Sequence, residues 1–394
     1  MKVTRFVFVY SQAVLALKGH PETAHLRTRI EILPDIARAL GAQVETVSVE
    51  RLLGLQGDEG VKYARDRIAK ADVAIVDGPC YRLAMYKRIE NEIAALDVPC
   101  FDTYQNVKRV SDMSLYLPTI SEERIPHPGS VLIPFTSEDI ERSDSKDFYK
   151  RALGGRIEML LERGGIHPTK TQPAFYRTFF NSAVGSNVWR YKAESVVDLI
   201  NSSYEVVYDK KGYEDVGGLA VREFLELEKV YPLPMHDVFK EYRIFVIGGQ
   251  PIWYSFYHGL SKIDTKSPAF EELKEKATLG AHGIKRLKNI ARKVAAAIPS
   301  HFFVIDVAFT VEGKLVVIDL GPGYSAGMAF KIDQVPVLAA LLHYAAAIAR
   351  SPGRLAKRPK VAVEKLIKLD ELTEIVDTLK LSRLPMKTFC GLLL

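Results

Sequence analysis

The sequence predicts two unlike parts, an α/β unit at the amino end and an α+β body behind it. Three observations lead there. The first hundred residues alternate short apolar runs with helix-periodic stretches. The middle of the chain carries strand after strand with turn-length gaps. A length of 394 residues provides for two or three separate cores.

The elements follow in order. TRFVFVY is a short apolar strand, and HLRTRIEILPDIARALG is an amphipathic helix stopped by Gly41. QVETVSV gives a second strand, EGVKYARDRIAKA a helix, and DVAIVDG a third strand that is apolar throughout its centre. A helix from Ala84 to Ala95 and a fourth strand, VPCFDTY, complete the unit. Strands separated by helices imply parallel pairing through crossovers. With no Gly-x-Gly-x-x-Gly behind the first strand, dinucleotide binding is not expected. Beyond Asn106 come helix, proline-broken turn and strand (SDMSLYLPTISEERIPHPGSVLI), then charge-rich helix up to Gly164-Gly165. AFYRTFF, VWRYKAE and GLAVREFLELE read as strands, EYRIFVIGG with QPIWYSFY as a hairpin, and FEELKEKATLGAHGIKRLKNIARKVAAAIP as one long helix. The predicted division is 1–105, 106–349, and a basic appendage over 350–394 that ends in a helix from Leu369 to Leu379 and a short tail.

Composition narrows the setting. Hydrophobic content of 47% with 26% charged residues is ordinary for a globular protein. No apolar run is long enough to span a bilayer, and the amino end lacks the features of a signal peptide. Three cysteines in no metal spacing fit a reducing compartment, so a cytoplasmic location is expected. Seven Gln and six Asn against abundant Lys, Arg and Glu suggest a thermophilic source. The net charge of +6 permits a polyanionic partner without requiring one.

The segment FFVIDVAFTVEGKLVVIDLGPGYSAG places one aspartate in each of two apolar strands, Asp306 and Asp319. A bare carboxylate inside a core must be paired or bind a metal. Facing side chains on neighbouring strands lie about 5 Å apart, so the two acids can share a cation. The alternative is a structural pair held by Arg243 or by backbone donors. Gly321, Gly323 and Gly327 form either a loop whose N–H groups meet an anion or a plain tight turn.

Three stretches in this order, VREFLELE, EYRIFVIGGQPIWYSFY and the aspartate hairpin, resemble the ATP-grasp superfamily. The resemblance extends over roughly Met1 to Ala349 and implies an ATP-grasp fold of two lobes behind a Rossmann-like domain. It implies ATP and Mg2+ as cofactors. Asp306 and Asp319 would hold the metal, Arg177 and Arg243 would meet phosphates and serve catalysis, and the connector carrying Glu223, Phe224, Leu225 and Glu228 would bind the nucleoside. The implied activity is that of an ATP-dependent ligase, which activates a carboxylate as an acyl phosphate for attack by an amine or other nucleophile on a small-molecule or peptide acceptor. Alternatives are a nucleic-acid repair or ligation enzyme, and a nucleotide-binding scaffold without catalysis. Arg177 stands where most members have lysine, which is similar to an arginine-bearing clade. Met113 replaces another family lysine, and Pro322 replaces the second acid of the last strand.

Overall fold

The computed structural model describes residues 4–12, 24–77, 83–136, 138–139, 145–179, 192–209, 217–232, 237–257, 268–325, 331–350, 369–379 and 390–392. At the amino end, β1 (Arg5–Tyr10), α1 (Ala24–Ala39), β2 (Gln43–Ser48), α2 (Val49–Leu52), α3 (Gly57–Ile68), β3 (Val73–Val76) and α4 (Leu83–Ala94) follow one another. The strands form a parallel sheet in the order β2-β1-β3. Alternation divides β1 between two cores: Phe6 and Phe8 pack toward Leu33 and Ile36 of α1, whereas Val7 and Val9 pack toward Ala64, Ile68 and Ile89. The expected fourth strand reduces to one parallel bridge, Ala74 to Cys100. Its extension is cut short because Thr103 immediately caps the next helix, accepting from Asn106 N.

That helix is α5 (Tyr104–Ser111), followed by α6 (Met113–Glu122) with Asp112 as its cap, and then by β4 (Ser130–Pro134). Next come α7 (Lys146–Gly164), β5 (Ala174–Thr178), β6 (Lys192–Ala193), α8 (Val196–Asp209) and β7 (Gly218–Glu223). These strands make an antiparallel sheet in the order β4-β7-β5-β6. One face packs Tyr176, Leu219 and Val221 against Leu153, Ile157 and Leu161 of α7 and Leu199 of α8. The other face carries Arg177 and Arg222, which alternation turns away from those helices.

The second sheet contains β10 (Glu241–Ile247), β11 (Gln250–Phe256), β12 (Phe302–Phe309) and β13 (Leu315–Pro322). A small hairpin of β8 (Lys229–Pro232) and β9 (Asp237–Phe239) precedes it. The predicted long helix is two, α9 (Pro268–Ala277) and α10 (Ala281–Ala297), because Gly280 takes an extended conformation and caps the second. After β13 come α11 (Lys331–Ala349), α12 (Leu369–Thr378) and β14 (Cys390–Leu392). The sheet order is β13-β12-β10-β11-β14, so the tail supplies an edge strand beside β11. That strand covers backbone groups that an open edge would leave unpaired. His343 of α11 meets Glu371 of α12 at 3.0 Å, which ties the tail helix to the body.

One face of this sheet packs on α6, α9 and α10 through Tyr242, Ile244, Phe303, Ile305 and Val307. On the opposite face, Phe245, Ile247, Phe302 and Val304 pack under α11. Moving along the strands, that same face changes to Arg243 and Asp306. The charged end of this face is where the candidate site lies.

The β10–β11 hairpin turns at Gly248 and Gly249, both at positive φ (60° and 79°). A Cβ on Gly248 would meet the Tyr344 ring at 2.4 Å. Gly248→Ala should therefore destabilise the protein by about 1–3 kcal/mol, read from urea unfolding, because positive φ and the ring both oppose a side chain.

Candidate nucleotide site between the sheets

Register places the charged residues. Asp306 of β12 stands directly opposite Asp319 of β13 and directly opposite Arg243 of β10. Arg243 forks the Asp306 carboxylate, Nε to Oδ1 and Nη2 to Oδ2, both at 2.8 Å. The Tyr257 ring lies 4.5 Å from that guanidinium. A register shift after Asp306 leaves Ile318 as an extra residue in β13, the mark of a bulge, and re-aims its carbonyl.

The facing sheet supplies the second set of charges. Arg177 Nη1 donates to Asp319 Oδ2 at 2.7 Å. Arg222 donates through Nη1 to the Ile318 carbonyl, and through Nε to Ser130 Oγ at 3.2 Å. Tyr116 reaches in from α6 and donates its hydroxyl to Asp319 Oδ1 at 2.8 Å. Leu320 N donates to the same oxygen at 2.9 Å. The start of α6 is anchored by Met113 N, which donates to the Phe179 carbonyl just beyond β5. Met113 itself is fully buried in the core, so its side chain takes no part in the charged cluster.

The electrostatics follow from burial against pairing. Burial pushes the Asp306 carboxyl up to about 6, against the opposing pull of Arg243. For Arg177, the largest influence is burial, which lowers it, but Asp319 and Tyr116 outweigh burial and raise it. Arg222 ends lower than an ordinary guanidinium, because burial outweighs Tyr116 and Asp319, and Arg177 adds repulsion. Burial and the Asp319 charge hold the Tyr116 hydroxyl well above its usual range.

The structure thus brings Arg177, Arg243, Asp306 and Asp319 together. Glu223, Phe224, Leu225 and Glu228 lie on the connector from β7 to β8. Glu223 accepts from Gly129 N at 2.8 Å, and Glu228 accepts from Lys240 Nζ at 2.7 Å. Phe224 is 45% exposed, with the Lys192 ammonium 5.6 Å from its ring centre, and Leu225 is half-buried. The connector adjoins the cluster through Arg222, the residue before Glu223. Gly321 lies within β13 opposite Val304, and Gly327 falls outside the described residues. Sequence reasoning passed over Arg222, Tyr116 and Tyr257. Arg222 had a signal, a cation directly after the apolar run GLAV, of the same kind that singled out Arg243.

Two aspartates are hard oxygen donors, and no cluster of three His, Cys, Asp or Glu side chains exists among the described residues. That donor set fits magnesium, which binds through one or two carboxylates and completes its shell with water and phosphate oxygens.

Residues 167–342 match the sequence profile of the family described as ATP-grasp domain, R2K clade family 3. These residues form an ATP-grasp domain. The match contains Arg177, Arg222, Arg243, Asp306 and Asp319, and thus both facing sheets of the site. No curated protein matches the chain. Among solved structures, the chain is similar to a RimK domain protein ATP-grasp from Sphaerobacter thermophilus, at 12% identity and a TM-score of 0.47, covering 88% of this chain and 98% of that one. It is also similar to D-cycloserine synthetase DcsG, at 10% identity and a TM-score of 0.47, covering 86% and 99%. A third is the ATP-grasp ligase PsnB complexed with minimal precursor, Mg and ADP, at 13% identity and a TM-score of 0.46, covering 88% and 98%. No helix among the described residues is long and apolar enough to cross a membrane.

Two outcomes follow from the Arg243–Asp306 fork. Arg243→Met should cost about 3–5 kcal/mol in urea unfolding at neutral pH, because it leaves a buried carboxylate without its cation. Arg243→Met/Asp306→Asn should recover most of that loss. The pH dependence has the opposite sign to that of an ordinary paired acid. With its folded pKa raised to about 6, Asp306 contributes stability below its unfolded pKa that is lost as pH rises through 6. The stability of the wild type relative to Asp306→Asn should therefore increase as pH falls from 7 to 4.

Proposed function

We propose that the protein binds Mg-ATP between the two facing sheets and uses it to activate a carboxylate as an acyl phosphate, which an amine or other nucleophile then attacks. The observation that carries this reading is the convergence of three guanidiniums, Arg177, Arg222 and Arg243, on two carboxylates that stand in register on adjacent strands. Guanidiniums are planar donors suited to phosphate oxygens, and they stay charged when buried. Once engaged with the phosphates, guanidiniums carried on the strands of the two sheets need little further rearrangement to meet charge that develops during phosphoryl transfer.

Asp306 and Asp319 would hold magnesium. When bound, the metal supplies neutralisation of charge on the phosphate oxygens. Arg243, fixed by the strand beside Asp306, would orient one side of the polyphosphate, and Arg177 with Arg222 the other. The connector from Glu223 to Glu228 would receive the nucleoside. The acceptor carboxylate and the nucleophile would enter from the open side of the cleft, where the charged face of the second sheet is free of α11.

The test is ADP formation from ATP and magnesium, measured against a panel of amino acids and peptides supplied as paired carboxylate and amine. Acceptor-dependent turnover is expected, with kcat/KM lowered at least about 10²-fold in Asp319→Asn, as when a group that stabilises transition-state charge is removed. ATP binding by calorimetry with no turnover for any acceptor would favour the scaffold reading, for which Met113 and Pro322 in place of family residues are the motive. Absence of ATP binding would discard the proposal.

A further inference from the structure

We propose that Arg177 and Arg222 latch the two sheets together across the cleft, and that a triphosphate must take these guanidiniums before a divalent cation can reach Asp319. The inference deepens the reading of the cleft as a Mg-ATP site and rests on it. It assigns an order of binding, anion first and metal second, and gives Arg222 a role in binding the anion.

The first ground is where the contacts run. Arg243 and Asp306 belong to the same sheet, so their fork holds nothing across the cleft. Arg177 of β5 grips Asp319 of β13, and Arg222 of β7 grips the carbonyl of bulge residue Ile318, also in β13. Both bonds join one sheet to the other through the space between them. The bulge places the Asp319 carboxylate and the Ile318 carbonyl side by side, so two neighbouring arginines close on two neighbouring acceptors.

The second ground is charge. Arg243 has Asp306 as its partner and Glu241 close by, whereas Arg177 and Arg222 have one carboxylate between them among the described residues, Asp319. Arg222, only 5% exposed, spends its bonds on a hydroxyl and a carbonyl, both neutral acceptors. Arg177 Nη2 is buried and has no hydrogen-bond partner among the described residues. A buried guanidinium with no carboxylate bonded to it among the described residues, beside a buried donor with no acceptor among them, suits an anion of several oxygens. A triphosphate provides those oxygens.

The third ground is what a lone metal ion would meet. Both oxygens of Asp306 are taken by Arg243. Asp319 gives one oxygen to Arg177 and the other to the Tyr116 hydroxyl and Leu320 N. A cation arriving alone must displace Arg177 and leave a buried guanidinium without any anion, which a low-dielectric site penalises heavily. If the triphosphate arrives first, Arg177 exchanges one anion for another, and Asp319 becomes available to the metal at no such cost.

Manganese serves as the probe, read by water-proton relaxation, alongside calorimetry of sodium tripolyphosphate in EDTA. For the wild type, MnCl2 alone at millimolar concentration should give no enhancement, and tripolyphosphate should bind without metal. Arg222→Met should weaken tripolyphosphate at least about tenfold, the scale of one lost charge-assisted contact. Arg177→Met should bind Mn2+ without any anion, at least about tenfold tighter than the wild type, and Arg177→Met/Asp319→Asn should lose that gain. Mn2+ binding to the wild type without anion would overturn the proposal. So would an Arg177→Met protein that is folded by circular dichroism yet still binds no Mn2+. Should Arg177→Met fail to fold, the wild-type measurements and Arg222→Met decide alone. Binding of tripolyphosphate but not of ATP would remove the nucleoside from the proposed function and leave the latch standing. Binding of neither removes both.

Discussion

Asp306 and Asp319 stand in register on adjacent strands of a sheet whose other face is closed by helices. Two carboxylates so placed repel each other, and Asp306 is buried, so the pair needs cations brought to it by the protein. Much of the architecture answers that requirement. The neighbouring strand β10 contributes Arg243 from within the sheet, and β5 contributes Arg177 from the sheet opposite. The ATP-grasp domain is thus organised around a pair of negative charges, and its two lobes meet where those charges are balanced.

The rest of the second sheet shows how the pair is kept from spoiling a core. Its face is apolar under α11, where Phe245, Ile247, Phe302 and Val304 pack, and charged beyond it, where Arg243 and Asp306 lie. α11 therefore ends the apolar contact at the same strand positions where the site begins. The bulge at Ile318 performs two tasks at that boundary. It keeps Asp319 on the face of Asp306, and it frees a carbonyl for Arg222. Beyond Pro322 the chain runs to Tyr324, which stacks on Tyr86 of α4 with ring centres 5.4 Å apart. The strand that carries one carboxylate is thereby fixed at its far end to the parallel sheet of the amino end.

Much of this was legible in the sequence, for reasons that can be named. β1, β2 and β3 were readable because short apolar runs bounded by helices have one stable solution, a parallel sheet. Asp306, Asp319 and Arg243 were readable because a charge inside an apolar strand is costly enough to need a reason. What could not be read was long-range. Tyr116 reaches Asp319 across 203 positions of sequence, and nothing in SDMSLYLP distinguishes its hydroxyl from that of any core tyrosine. The fourth strand of the amino-end sheet failed for a local reason, since Thr103 caps a helix at once. The split of α9 from α10 turned on a single glycine whose conformation the surrounding helix-favouring residues concealed. The tail read as an appendage because a three-residue edge strand carries almost no periodic signal, although it completes the sheet beside β11.

Arginine at position 177, in place of the lysine most members of the superfamily carry, has a physical consequence that the structure makes concrete. A lysine ammonium is a compact charge that loses its proton readily when buried, and it offers no planar fork. A guanidinium keeps its charge under the same burial. The Asp319 charge even raises Arg177 against the lowering effect of its surroundings. It also carries donors to spare. Nη1 is engaged with Asp319, while Nη2 has no hydrogen-bond partner among the described residues. Such a residue can hold a carboxylate and still present a donor to a second anion, so exchange between the two does not require the first bond to break before the next forms. A single ammonium placed there would have to choose. A resting site held shut by its own ion pairs is compatible with ready opening only if the cations that hold it can contact the incoming anion while still bound to the old one, and Arg177 has the geometry for that.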